Sequence, residues 1–203
     1  MTLRTALVSA LMLSASCGAS ATLIDFEDLT LGDTYSPVSL FSTGGVDASI
    51  RNFQWSSGAW TSGGVGQVSN WGWAGGTGNE MILNNTNLGL DFVGSVGSAG
   101  YLVFQFGEYG GNMNLDINGH FVNFNNWEDL DGATIGGVTV NVLAGGLGND
   151  KGTVEFNGLI DKFLTGGQEY AVDNFRYQLV PAPGALALLG VAGIAGRRRR
   201  RSS

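Results

Sequence analysis

The sequence predicts an all-β fold, a single jelly-roll-like β-sandwich with an N-terminal signal helix before it and a short C-terminal hydrophobic helix after it. Three observations carry that prediction. Between residues 22 and 179 no long apolar stripe of helical period occurs; short alternating runs recur instead, separated by Gly, Asn and Ser. The 34 glycines of the 203-residue chain have no collagen period and punctuate those runs. Two Asn-Gly pairs, at 118–119 and 157–158, stand between alternating segments, where positive φ angles favour a type I′ hairpin turn.

The elements follow in order. Residues 1–21 have one early charge, Arg4, then an uncharged apolar stretch from Ala6 to Leu13, then Ala19-Ser20-Ala21. Those three regions define a secretory signal peptide, with signal peptidase expected to cut after Ala21. Cys17 raises the rival of a lipoprotein signal, but Ser14 stands where that motif wants an aliphatic residue. The first strand is Leu23 to Glu27, with Asp25 and Glu27 on one face and Ile24 and Phe26 on the other. Ser56 to Gly78, rich in Gly, Ser and Trp, reads as an exposed loop or a loose hairpin. Further strands are Tyr101–Phe106, Gly137–Leu143 and Tyr170–Leu179, with hairpins predicted over 115–124 and 154–163. No internal repeat splits the domain, and 159 residues suffice for one buried core.

Charge narrows the function classes. All seventeen acidic residues lie in the central domain, against Arg51, Lys151, Lys162 and Arg176, a formal charge of −13. Such a field repels nucleic acid and anionic lipid. The one cysteine lies in the signal segment, so the domain has no disulfides and relies on its core or on metal.

The C-terminus is more specific. Val180-Pro181-Ala182-Pro183 precedes thirteen Gly, Ala, Leu, Val and Ile residues, 184–196, then Arg197, Arg198, Arg199, Arg200, Arg201 and two serines. The thirteen residues fall short of the roughly 20 that a comfortable membrane span needs. The arginine block would keep the end cytoplasmic and the domain outside. Residues 180–203 thereby resemble the PEP-CTERM sorting domain of bacterial envelope proteins: a Pro-x-Pro motif, a short transmembrane helix and an arginine tail. The resemblance implies an exosortase as processing partner and delivery to the outer surface or an exopolysaccharide matrix. Ala182 stands where the typical tag has Glu. A plain C-terminal anchor is the alternative.

Two constellations are candidate sites. The opening Ile24–Leu29 and closing Gly166–Phe175 segments resemble the first and closing strands of β-sandwich domains in tagged envelope proteins, a jelly-roll arrangement shared with carbohydrate-binding modules. That resemblance implies neighbouring strands sharing a structural calcium, with Glu27 and Asp173 as ligands and Asp25 as a third; the plain alternative is solvent-facing carboxylates. The second constellation is Trp55, Trp60, Trp71, Trp73 and Trp127. Trp71 and Trp73 are two apart, so in a strand their rings would share a face and offer a platform to sugar C–H groups. Core packing is the competing role, favoured for Trp55 and Trp127.

Catalysis has little support. His120, the only histidine, follows a turn, and no nucleophile elbow or phosphate-binding glycine loop occurs. Seventeen acids allow the carboxylate pair of a glycoside hydrolase or lyase, yet no spacing selects one. The expectation is a non-enzymatic exported protein with a structural or adhesive role, or a calcium-stabilised glycan-binding module.

Overall fold

The computed structural model describes residues 21–181. Two antiparallel sheets pack face to face, so the all-β sandwich expected from the alternating runs is the fold. The larger sheet contains β1 (Thr22–Ile24), β2 (Thr34–Tyr35), β5 (Val65–Ser69), β6 (Glu80–Asn84), β8 (Ala99–Glu108), β11 (Thr134–Ile135), β12 (Val138–Ala144), β13 (Asp150–Ile160) and β15 (Tyr170–Leu179). Its order is β11-β12-β13-β8-β15-β6-β5-β2, with β1 also on β15. The smaller sheet holds β3 (Leu40–Thr43), β4 (Val46–Asn52), β7 (Thr86–Asp91), β9 (Met113–Ile117), β10 (His120–Phe124) and β14 (Lys162–Gly167). Its order is β10-β9-β14-β7-β4-β3. The chain crosses between sheets repeatedly, so both faces of the core are built from the whole length of the domain.

The core lies between the sheets and is aromatic. Phe104 stacks on Phe175 at 4.4 Å and on Phe156 at 5.8 Å, with Phe163 edge-on at 5.7 Å. Trp127 is fully buried and meets Phe104, Phe106, Phe124 and Phe156. Its indole N–H donates to the Tyr170 hydroxyl at 3.2 Å, which gives its one polar atom a partner away from water. The predicted Trp127 burial is therefore what the fold uses. Trp55 is half-buried, edge-on against Phe53.

Two strand expectations need correction. Asn118-Gly119 does make the predicted hairpin, with φ of 56° and 87°, joining β9 to β10. Asn157-Gly158 does not. β13 runs through it to Ile160, paired with β12 on one side and β8 on the other. Gly158, at φ 148°, marks a register break there, and its missing Cβ leaves room for the Gly137 carbonyl and Val138. Two flanking strands satisfy the ladder better than a hairpin turn would. The first strand ends at Ile24, because Phe26 adopts φ 60°; Ile24 and Phe26 still point inward and Asp25 and Glu27 outward. The region 56–78, read as an exposed loop or a loose hairpin, contains β5 at 65–69, which pairs antiparallel with β6 across the 70–79 loop.

The signal segment, apart from Ala21, and the sorting tag from Ala182 onward, with Pro183, the 184–196 helix and Arg197 to Arg201, lie outside the described residues. Among the described residues no helix is long and apolar enough to cross a membrane. Thr22 lies opposite Tyr177, and Val180 donates to the Ser98 carbonyl beyond the end of β15. Both ends of the domain therefore leave from the same end of one strand pair.

Candidate functional site: an aromatic platform on a carboxylate base

One edge of β15 is shared. Residues 170–172 pair with β6, residues 175–177 pair with β1, and Asp173-Asn174 fill the gap with Asn174 at φ 53°. The β5–β6 loop, residues 70–79, folds back over that gap on the outer face of the larger sheet. Glycines make the approach possible. A Cβ on Gly76 would meet the Asp173 carboxylate, and one on Gly78 would meet Glu27. Gly107 of β8 is bare for the same reason, because its Cβ would strike the Trp73 carbonyl. Ala74, Ile82 and Ala171 form a small second core under the loop.

Carboxylates hold the loop from below. Glu80, 1% exposed, accepts from Trp73 N at 3.0 Å, Ala74 N at 2.7 Å and Ser69 Oγ at 3.2 Å. Glu27 accepts from Asn79 N at 2.7 Å, and Asn79 Nδ2 donates back to the Phe26 and Leu29 carbonyls. From the far side Lys151 Nζ donates to the Gly72 carbonyl at 2.6 Å and Tyr109 donates to the Trp73 carbonyl at 2.8 Å. Asp173 is buried, and desolvation pushes its carboxyl up to about 7. The Asn174 backbone N–H opposes that rise, and the nearby charges of Glu80, Asp25 and Glu27 add to it.

The structure thus brings Asp25, Glu27 and Asp173 to the base of one loop. Among the described residues no group of three or more Asp, Glu, His or Cys side chains is placed to hold a metal ion by those side chains alone. Glu27 is engaged by Asn79 N, Asp25 by Glu27 N at 3.3 Å, and Asp173 by Asn174 N and Nδ2. Backbone geometry decided this, because the left-handed turn at Phe26 takes Glu27 out of the strand that would have aligned the trio. Glu80, which sequence reasoning missed, is the acid that orders the site. Its only sequence signal is a carboxylate opening an otherwise apolar run, Glu80-Met81-Ile82-Leu83.

Above this base stand the tryptophans. Trp71 and Trp73 lie in the loop rather than in a strand, and their rings are nevertheless in contact, 5.0 Å apart and inclined at 50°. They are 55% and 39% exposed. Tyr109 meets the edge of Trp73 at 5.6 Å. Beside the rings is a groove of about 270 Å³ lined by Val65, Gln67, Ile82, Asn84 and Glu169. No protein-family model, no curated protein and no solved structure matches the chain. What the site can do is therefore argued from its chemistry: two exposed rings supply an apolar, electron-rich surface, and planar amide and carboxylate groups beside them can hydrogen-bond vicinal hydroxyls.

Other polar residues face solvent or make local hydrogen bonds. His120 is exposed after its turn. Asp129 Oδ2 accepts from Asn126 N at 3.0 Å at the start of a short 3-10 helix, Trp127–Leu130, and Asp131 accepts from Val142 N at 2.8 Å. Glu108, at the end of β8, is buried and accepts from Gly148 N and Trp127 N. Desolvation pushes its carboxyl up to about 7 against those two donors, and Asp150 and Asp129 raise it further.

Proposed function

We propose that this chain is an exported, non-enzymatic adhesive module that binds neutral polysaccharide at the Trp71–Trp73 platform, and that its C-terminal segment, similar to a PEP-CTERM-type tag in its three-part order, delivers it through an exosortase to the envelope or its matrix. The observation that carries the binding reading is the pair of touching, half-exposed indoles over a groove with Gln67, Asn84 and Glu169 at its edge. Large aromatic rings are usually withdrawn from water; here backbone hydrogen bonds from Trp73 and Ala74 to the buried Glu80 fasten the loop that carries them. The charge of −13 favours uncharged over acidic polysaccharide.

Affinity electrophoresis of the protein in gels containing mixed-linkage β-glucan, mannan, dextran or alginate tests this. At least one neutral gel should retard the wild type, with tryptophan fluorescence changing on titration, and alginate should not. Trp71→Ala/Trp73→Ala should weaken the retardation and abolish the fluorescence change on titration while far-ultraviolet circular dichroism stays unchanged. Migration unaltered in every neutral gel would overturn the reading. Delivery is tested separately: replacing Arg197 to Arg201 with Ser should leave the protein unprocessed in a host with an exosortase, and normal processing would refute the sorting role.

A further inference from the structure

The opposite face of the sandwich carries a second, larger depression of about 590 Å³. Register shows how it is made. Leu40, Ser49, Gly89, Leu164, Asp116 and Phe121 are successive cross-strand partners, one residue from each strand of the smaller sheet. All six lie on the outer face, since the residues between them point into the core. With Gly89 and Ser49 in the middle, this row is a shallow floor running across the strands. Five inter-strand spacings of about 4.8 Å make it about 24 Å long.

The floor is flanked by polar rows. On one side Asp47, Asp91 and Lys162 are register partners, and Lys162 Nζ lies 3.5 Å from Asp91. On the other, Arg51 donates to Ser49 Oγ at 3.0 Å, and Asn87, Gly166, Asn114 and Asn123 continue the row. The segment after β4 crosses that second row and is fastened to it: Gln54 N donates to Asn114 Oδ1 at 2.8 Å, and Asn114 Nδ2 and Asn123 Nδ2 both donate to the Gln54 carbonyl at 2.9 Å. It thus makes a wall. The same segment brings Trp60, 56% exposed, against Phe121 at 5.8 Å, which puts an aromatic pair at one end of the floor.

We infer that this transverse groove is a second polysaccharide-binding site, taking a stretch of neutral chain several sugar rings long, and that the protein cross-links chains held on its two faces. The class of ligand follows from the lining. Leu40 and Leu164 are the exposed or half-exposed aliphatic side chains on the floor, too few to anchor a protein partner. Asp47, Asp91 and Asp116 nearly balance Arg51 and Lys162, so the groove is close to neutral in a strongly acidic domain. A narrow floor bordered by Asp47, Asp91 and Lys162 on one side and Arg51 on the other, with an aromatic pair beyond its end, matches a polyhydroxylated chain. The platform lies on the outside of the larger sheet and this groove on the outside of the smaller one, so each site engages a different chain segment. The cross-linking part rests on the platform reading; the groove does not.

The experiment uses the full protein with mixed-linkage β-glucan, mannan and dextran in two assays, calorimetric stoichiometry and turbidity. The variants are Trp71→Ala/Trp73→Ala and Leu40→Ala/Arg51→Ala/Trp60→Ala, whose side chains are all exposed, so that folding can be checked by an unchanged melting curve. The wild type should bind two chain segments per molecule and give turbidity with at least one of the three polysaccharides. Each variant should bind one and lose turbidity at least tenfold. Complete loss of binding in the platform variant would overturn the second site while leaving the platform reading intact. Stoichiometry and turbidity unchanged in the groove variant would do the same. Binding lost only in the groove variant would support the groove and overturn the platform. No binding of any of the three by the wild type would overturn both.

Discussion

Two buried carboxyls make the stability of this domain fall as pH rises. Glu108 and Asp173 are 2% and 1% exposed, and each is pushed up to about 7 from ordinary values of 4.5 and 3.8, with desolvation the main cause. A group with a raised folded pKa binds its proton more tightly in the folded state than in the unfolded one. Its stabilising contribution is fully present below the unfolded value, near pH 4, and is lost as pH climbs through about 7. At about 1.4 kcal/mol per pH unit, the gaps correspond to ceilings of about 3 kcal/mol for Glu108 and about 4 kcal/mol for Asp173. Both sit under glycine-rich loops at the margin of the sandwich, where water trims these figures, so a combined loss of about 3–5 kcal/mol is expected between pH 4.5 and 8. Urea unfolding followed by tryptophan fluorescence at half-unit pH steps measures it. Glu108→Gln and Asp173→Asn should each flatten part of the slope, since neither amide titrates. A wild-type midpoint that is constant or rises between pH 5 and 8 would refute the reasoning, as would a slope that survives in the double variant.

Other outcomes follow from single contacts. Phe104→Ala removes the ring that stacks on both Phe156 and Phe175, and should cost about 3–5 kcal/mol by chemical denaturation. Gly107→Ala drives a methyl group into the Trp73 carbonyl, so polysaccharide retardation should weaken severalfold with a smaller loss of stability; unchanged retardation would mean the loop is not fixed from below. Because Asp25, Glu27 and Asp173 do not form a three-ligand group and are occupied by local hydrogen bonds, calcium followed by chelator should leave the melting temperature at pH 8 unchanged. A calcium-dependent rise would restore them as ligands, since an ion binding only the native state raises its stability.

Much of the fold was legible in the sequence. Alternation in Tyr101–Phe106 and Gly137–Leu143 placed real strands within a residue or two, Tyr170–Leu179 was read with its bounds, and Asn118-Gly119 formed its hairpin because a local turn needs only local chemistry. Asn157-Gly158 misled for the opposite reason: the pair also suits a bulge, and only the strands on either side choose between the two. At the platform, Trp71 and Trp73 could be picked out as aromatics, but their contact could not be derived from strand periodicity, because a loop holds them. Glu80, which opens the strand after that loop, and Gly107, two strands away on β8, set the loop and carry no motif.

The sequence by itself determined what depends on composition and period: an all-β chain without disulfides, a domain charge of −13, and alternating faces that require a second sheet to cover them. Tertiary structure decided what depends on juxtaposition. It put β1 and β6 on one edge of β15, which gathers four acids under the aromatic loop, and it aligned five strands of the smaller sheet so that their outward residues line one groove. Side-chain period is local to a strand, whereas register and loop fold-back arise from contacts between residues tens of positions apart, and those are fixed only when the sheets close on their core.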